Sequence, residues 1–394
     1  MCPWSDNWWI EGDKAWFCGG EVGALFCVDM NSCECELVSR IPECQFAGFR
    51  LYSYCMKCAD RVFCLPSMGD CIWIYELEEK TWEKIGLDHK EQIFHYQKNS
   101  NQIFFWDFAG YLYRMDLDKK KVSTIFHEAF QSDEMTQYVI VDNKIYHVRD
   151  NRIISLDLCG DDIRAVTYEI PDLKAGLFAI GYDGANFWLS GHAKEICIWH
   201  PESGVIKMLR NFPEQFGIYH FKVGETPYLD CKTLVEAESA FFEDSVSLGA
   251  YMWFIPGRSS DIIYISKETY EAFILEIEEE RETKESIEKN YMGFKYILQY
   301  VREDRYIGVY SFKNHRVFEI DTVELTVTYR DYKLDHKSVL MIEKAAAGYH
   351  NGKILNERRE KDRKLFSRLL EEKNESSLDK YGHTGELIYH TLHI

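Results

Sequence analysis

The chain has 394 residues, with 46 Lys and Arg against 65 Asp and Glu, and aromatic residues make up 15% of it. A hydrophobic share of 46% with only 8 prolines and 24 glycines excludes a disordered, fibrous or low-complexity protein. A net charge of −19 repels phosphate backbones and anionic surfaces, so neither nucleic acid nor a membrane is an expected partner.

The chain opens Met1-Cys2-Pro3-Trp4-Ser5-Asp6, without the basic segment and apolar run of a secretory signal. No stretch approaches the ~18 apolar residues of a membrane span. The expectation is a cytoplasmic monomer. Thirteen cysteines, an odd number, fit reduced thiols better than a disulfide framework, and ten of them fall within the first 71 residues.

Seven times along the chain a short run with a large apolar residue is followed by a second apolar run that ends on a polar, mostly acidic anchor. The pairs are Trp16 with Asp29, Phe63 with Glu76, Phe104 with Asp116, Tyr146 with Asp157, Trp188 with His200, Trp253 with Ser266 and Ile307 with Asp321. The second anchors recur at intervals of 47, 40, 41, 43, 66 and 55 residues, around the period of four-stranded propeller blades. Each unit reads as short strands rich in β-formers, and a polar turn such as Leu117-Asp118-Lys119-Lys120-Lys121 follows the anchor. Rings and acids that recur in every unit point to scaffold, because a catalytic site is normally singular.

The pattern resembles the β-propeller superfamily, nearest to kelch and galactose-oxidase-like repeats. The resemblance rests on Gly19-Gly20 after the strand Ala15-Trp16-Phe17-Cys18, and on Tyr75 followed seven positions later by Trp82. It implies an all-β fold of seven four-stranded antiparallel blades over residues 7–335, with an α-helical C-terminal extension over 336–394. Nothing matches a copper site or a propeller enzyme's catalytic set, so no functional residue is carried over.

Three segments depart from the rhythm. An insertion over about 212–244 mixes rings with acids, and its aromatics Tyr228, Phe241 and Phe242 are candidate anchors for a partner. An acidic run over about 275–290 reads as a solvated loop or short helix. In the extension, apolar residues at helical spacing predict an amphipathic helix over 356–373, and the alternation over 386–394 predicts a strand that pairs into the first or last blade.

In a propeller the loops between the second and third strands of the blades gather at one mouth of the channel. These loops and the starts of the inner strands supply Arg50, His95, Asp107, Arg149, His192, Arg258, Lys313 and His315 as candidate ligand-binding residues. Against an acidic background such basic groups suit a carboxylate, a phosphate or an acidic sugar. Cys33, Cys35, Cys55 and Cys58 form a second candidate, in turns of adjacent blades. Four thiolates could close a tetrahedral structural zinc site, Cys55 and Cys58 could form a redox pair, or all four could be inert thiols. No other cofactor is expected.

With no Walker loop, dinucleotide fingerprint or nucleophile elbow in the sequence, the expected function is a cytoplasmic binding scaffold that recognises a protein, a peptide or a small acidic ligand at the mouth. The alternatives are a carbohydrate-active lyase, hydrolase or epimerase built on dispersed His and Arg residues, and an acidic inhibitor or immunity-type protein for a basic partner.

Overall fold

The computed structural model describes residues 3, 5–20, 22–43, 51–87, 93–107, 109–126, 137–158, 165–213, 216, 242–283, 285–286 and 295–349. Two compact units divide the chain, Met1–Lys90 with Tyr329–Ile394, and Glu91–Thr328. The first holds blade 1, β1–β4 (Trp9–Glu11, Lys14–Cys18, Ala24–Asp29, Glu34–Arg40), and blade 2, β5–β8 (Tyr52–Cys58, Arg61–Pro66, Cys71–Glu76, Thr81–Gly86). Blade 3 is β9–β12 (Ile93–Asn99, Gln102–Asp107, Tyr111–Asp116, Lys121–Phe126) and blade 4 is β13–β16 (Tyr138–Val141, Lys144–Arg149, Arg152–Asp157, Ala165–Glu169). Blade 5 is β17–β20 (Leu177–Tyr182, Phe187–Gly191, Ile196–His200, Gly204–Leu209) and blade 6 is β21–β24 (Phe242–Leu248, Tyr251–Pro256, Ile262–Ser266, Ala272–Leu275). Blade 7 is β25–β28 (Tyr296–Arg302, Tyr306–Ser311, Arg316–Asp321, Thr326–Arg330). In every blade consecutive strands are neighbours, which gives seven antiparallel meanders.

The middle strands are apolar on both faces. Val62, Phe63, Cys64 and Leu65 of β6 are fully buried, as are Met252, Trp253, Phe254 and Ile255 of β22, whereas the fourth strands β8 and β12 alternate between partly and fully exposed residues. A strand buried on both faces needs a sheet on each side, so neighbouring blades must stack. In the second unit the stacking is aromatic: Tyr146 meets Phe187 at 4.4 Å between ring centroids, and Trp188 meets Phe254 at 6.3 Å.

All seven leading residues of the sequence repeat lie on the second strand of a blade, and all seven anchors are the last residue of a third strand. The anchor side chain builds the turn that follows. Asp29 Oδ1 accepts the N–H groups of Asn31 and Ser32 at 3.0 and 2.8 Å, and Asp116 Oδ1 those of Asp118 and Lys119 at 3.1 and 2.9 Å. Asp321 Oδ1 accepts from Val323 and Glu324 at 3.0 and 3.1 Å, while Ser266 Oγ takes the Thr269 N–H at 3.1 Å and His200 Nδ1 the Glu202 N–H at 3.2 Å. Four residues past the anchor the backbone turns left-handed, with φ of +59° at Cys33, +55° at Lys80, +51° at Lys120, +61° at Tyr270 and +55° at Leu325. Among the described turns only that of blade 5 places a glycine there, Gly204 at +77°.

Gly19 is required by a different constraint. A Cβ at this position would lie 2.9 Å from the Phe26 ring and 3.0 Å from the Val22 carbonyl oxygen. Tyr75 and Trp82, seven apart in sequence, are cross-strand partners in β7 and β8 with ring centroids 4.8 Å apart.

Beyond β28 the chain returns to blade 1. β29 (Lys333–Leu334) pairs parallel to β4 and makes that sheet five-stranded, so the outer edge is covered over these residues. Asp335 then caps α1 (His336–Tyr349), its Oδ1 accepting the Ser338 N–H at 2.6 Å, and Ser338 Oγ accepts the Leu37 N–H of β4 at 2.6 Å. The helix expected over 356–373 and the strand expected over 386–394 lie outside the described residues, as do Tyr228 and Phe241. Phe242 is not a surface anchor. It is fully buried and stacks against Phe216 at 6.0 Å and Phe254 at 5.2 Å, because β21 begins there and turns the ring into the blade 6 core.

Leu325 holds a left-handed backbone with its side chain 40% exposed. Leu325→Gly removes the Cβ strain and is expected to raise stability by about 1 kcal/mol, read as a higher denaturation midpoint. A lower midpoint would contradict the turn analysis.

Candidate functional site

The second-to-third-strand loops of blades 3 to 7 carry most of the expected ligand residues, and the structure gives several of them internal duties. Asp107 is buried at the end of β10, where Oδ1 accepts the Tyr111 N–H at 3.0 Å and Oδ2 the Tyr113 hydroxyl at 2.9 Å; it braces the β10–β11 turn. Arg149, at the end of β14, is partly exposed and 4.0 Å from the Asp150 carboxylate, which Arg152 contacts at 2.9 Å. The His192 ring meets Phe178 edge-on, with centroids 6.1 Å apart. Arg258 is buried between β22 and β23, and His315, partly exposed, takes a φ of +51° in the turn before β27. Arg50 and the side chain of His95 lie outside the described residues.

Lys313 and Asn314 do not point into an open mouth. Lys313 Nζ donates to the carbonyl oxygens of Glu279 and Arg281, both at 2.6 Å, and Asn314 Nδ2 donates to Glu280 Oε1 at 2.7 Å. Both fasten the acidic run, which is not solvated throughout. Its 3-10 turn, Glu278–Glu280, sends Glu280 fully inside, where Oε2 accepts from Ser311 Oγ at 2.6 Å and lies 3.1 Å from Lys295 Nζ. Lys295 is itself fully buried, donates to the Glu280 carbonyl at 2.6 Å and pairs with the buried Glu282 carboxylate. Ser260 Oγ donates to the Glu280 carbonyl at 2.7 Å, and Tyr296 Oη to the Ser260 carbonyl at 2.7 Å. One lysine, two carboxylates and their hydroxyl and amide partners thus tie blade 6 to blade 7. Burial and the nearby Glu276 push the Asp261 carboxyl up to about 6, against the pull of Arg281 and Lys295.

A second polar cluster joins blades 4, 5 and 6. Gln137, just before β13, donates its backbone N–H to the Phe178 carbonyl at 2.8 Å and its side-chain amide to the Glu243 carbonyl. The adjacent Asp244 is pushed up to about 7 by burial, although the Ser245 N–H and the Gln137 amide both favour its charged form. A carboxyl that titrates near neutrality is suited to proton transfer, and it stands at the same end of the blades as the second-to-third-strand loops.

Sequence reasoning missed Gln137, Asp244, Glu280, Glu282 and Lys295 as a group. The acidic run and the end of the insertion marked two of the places, but not the partners.

The structure does not bring together the four cysteines of the expected zinc set. Cys33 lies in the turn after β3, Cys35 is buried in β4, Cys55 is buried in β5 and Cys58 ends that strand. β5 packs on β1 and β2, and β4 stands two strand spacings from β2, roughly 10 Å. Among the described residues no group of three or more His, Cys, Asp or Glu could hold a metal ion.

No protein-family model and no curated protein matches the chain. Solved structures do. Selenomethionine-substituted virginiamycin B lyase from Staphylococcus aureus is similar at 12% identity and a TM-score of 0.55, over 79% of this chain and 92% of that one. A streptogramin B lyase is similar at 12% identity and a TM-score of 0.50, over 82% and 92%, and a chain of the mitotic checkpoint complex at 10% identity and 0.50, over 84% and 86%. At such identities the likeness is one of fold: this chain is a seven-bladed β-propeller. The expected kinship with kelch and galactose-oxidase-like repeats is not confirmed, and Tyr75 and Trp82 owe their contact to strand register. Among the described residues no helix is long and apolar enough to cross a membrane.

Two measurements check these clusters. Lys295→Met strands Glu280 and Glu282 as buried charges and is expected to cost about 3–5 kcal/mol in denaturant unfolding; a loss below about 1 kcal/mol would contradict the network. Asp244 binds its proton more tightly in the folded state than the ordinary value near 4 allows. The native protein therefore holds the extra proton between pH ~4 and ~7, and this group's contribution to stability falls as pH rises through that window. Asp244→Asn should flatten the slope and be the more stable protein above pH 7. An unchanged slope would show that Asp244 is an ordinary carboxylate.

Proposed function

We propose that the protein is a binding scaffold that recognises a protein or peptide partner on the face formed by its second-to-third-strand loops. The observation that carries this reading is the commitment of charged residues at that end of the blades to the fold: Asp107 to Tyr111 and Tyr113, Lys313 to two backbone carbonyls, and Lys295, just before β25, to Glu280 and Glu282. That face also offers exposed rings. Tyr111 at the start of β11 and Phe126 at the end of β12 pair across the strands with ring centroids 5.2 Å apart, and they are 40% and 54% exposed. Exposed rings on a rigid sheet suit the anchoring role that aromatics play at interfaces.

The test is purification of the tagged protein from its native cells with quantitative mass spectrometry, beside Tyr111→Ser/Phe126→Ser. One protein should be enriched at least tenfold on the parent chain and lost from the double variant, whose circular dichroism should match the parent's. Equal recovery on both would overturn the assignment of the anchor.

A second reading draws on Asp244, whose carboxyl near pH 7 suits a general acid or base. It would make the protein an enzyme of lyase or epimerase type, with His192 on the adjacent blade as a further proton carrier. The two lyases are similar in fold alone and lend it no residue. Turnover of a small acidic substrate that is lost in Asp244→Asn would favour this reading; turnover that survives would remove it.

A further inference from the structure

The seam between blades 1 and 2 is built differently from the others. The core cluster joining blades 5 and 6 holds rings and aliphatic side chains and no cysteine, whereas that of blades 1 and 2 holds Cys18, Cys27, Cys55, Cys64 and Cys71. Three of these converge. Cys18 ends β2, Cys55 lies in β5, and Cys64 in β6 is the direct cross-strand partner of Cys55. All three are fully buried in one core cluster, where β2 packs against β5 and β6.

The position of Cys55 is fixed from outside its own sheet. Asn7 Oδ1 accepts the Cys55 N–H at 2.8 Å and Asn7 Nδ2 donates to the Cys55 carbonyl at 2.9 Å, so a side-chain amide serves where a neighbouring strand would. Burial by itself raises a thiol, as it raises Cys27 to about 11. The thiols of Cys55 and Cys64 oppose it at Cys18 and draw that group down to about 6, while burial and the neighbouring Cys18 push Cys55 well up. The trio thus holds one sulfur as the nucleophile and two beside it.

We propose that Cys18 and Cys55 form a peroxide-responsive, reversible disulfide that staples blade 1 to blade 2. The oxidant is a hydroperoxide, because sulfurs with no exposed surface admit only a small uncharged molecule during transient opening. The Cys18 thiolate attacks one peroxide oxygen; the S–O bond forms, the O–O bond breaks, and hydroxide leaves and is protonated to water. Cys18 is then a sulfenic acid. The Cys55 sulfur attacks it, the S–S bond forms as the S–O bond breaks, and the departing hydroxide takes the Cys55 proton. Two thiols and one hydrogen peroxide become one disulfide and two waters, and a dithiol returns the pair to thiols by exchange. The bond closes the chain between residues 18 and 55, whose strands belong to different blades, and restricts the unfolded chain accordingly.

The experiment treats the reduced protein with hydrogen peroxide, quenches it with catalase, alkylates under denaturing conditions and maps the peptides by mass spectrometry. The expected result is a Cys18–Cys55 cross-linked peptide, loss of two alkylatable thiols, a melting temperature several degrees higher and reversal by dithiothreitol. Cys18→Ser and Cys55→Ser each abolish the cross-link, and Cys64→Ser retains it. In the native reduced protein an aromatic disulfide reagent, too bulky to enter, leaves Cys18 and Cys55 unreacted. Full alkylation of both cysteines after peroxide, oxidation confined to the partly exposed Cys33 and Cys58, or a cross-link that persists in Cys18→Ser would each overturn the proposal. Peptide identity in the parent protein decides the matter even where a variant fails to fold.

Discussion

A four-stranded sheet whose middle strands are apolar on both faces cannot cover itself. β18 and β22 are buried almost from end to end, so each needs a sheet on either side, and stacking blade on blade supplies it. The rest of the protein answers to that constraint. Rings such as Tyr146, Phe187, Trp188 and Phe254 fill the stacked faces, fourth strands can remain polar because they meet solvent, and the exposed edge of β4 is covered by a strand from the far end of the chain.

The same constraint decides how much of the molecule was legible beforehand. Ring positions and anchors were readable because their causes are local: a buried second strand must carry a large apolar residue, and an Asp, Ser or His at the end of a third strand satisfies the next turn's N–H groups. Asp29, Asp116 and Asp321 repeat that geometry. Lys295 was not readable, because its partners Glu280 and Glu282 stand in an acidic run whose composition alone suggests a solvated loop. Asp244 shows the same limit, since its partner Gln137 comes from two blades earlier. Tyr75 and Trp82, taken as a family hallmark, meet as cross-strand partners of β7 and β8, and the kinship they suggested is not confirmed.

Charge acquires a different meaning once the fold is known. The excess of 19 negative charges still disfavours phosphate-rich partners, yet some of the acids are structural, and Lys295 is spent on two of them. The proposed recognition therefore rests on groups the fold leaves outward, such as the Tyr111 and Phe126 pair. The seam of blades 1 and 2 gathers five cysteines where the described clusters of blades 3 to 6 are filled mainly by rings and aliphatic side chains, and the proposed thiol chemistry rests on that difference.

Native-state hydrogen exchange, resolved by strand, tests the stacking constraint most directly. If burial on both faces holds the fold, the amides of the second and third strands should be the slowest to exchange in every blade, while the fourth strands β8, β12 and β16 open more readily. Fourth strands as well protected as β6, β18 and β22, or a blade whose middle strands exchange freely, would contradict it.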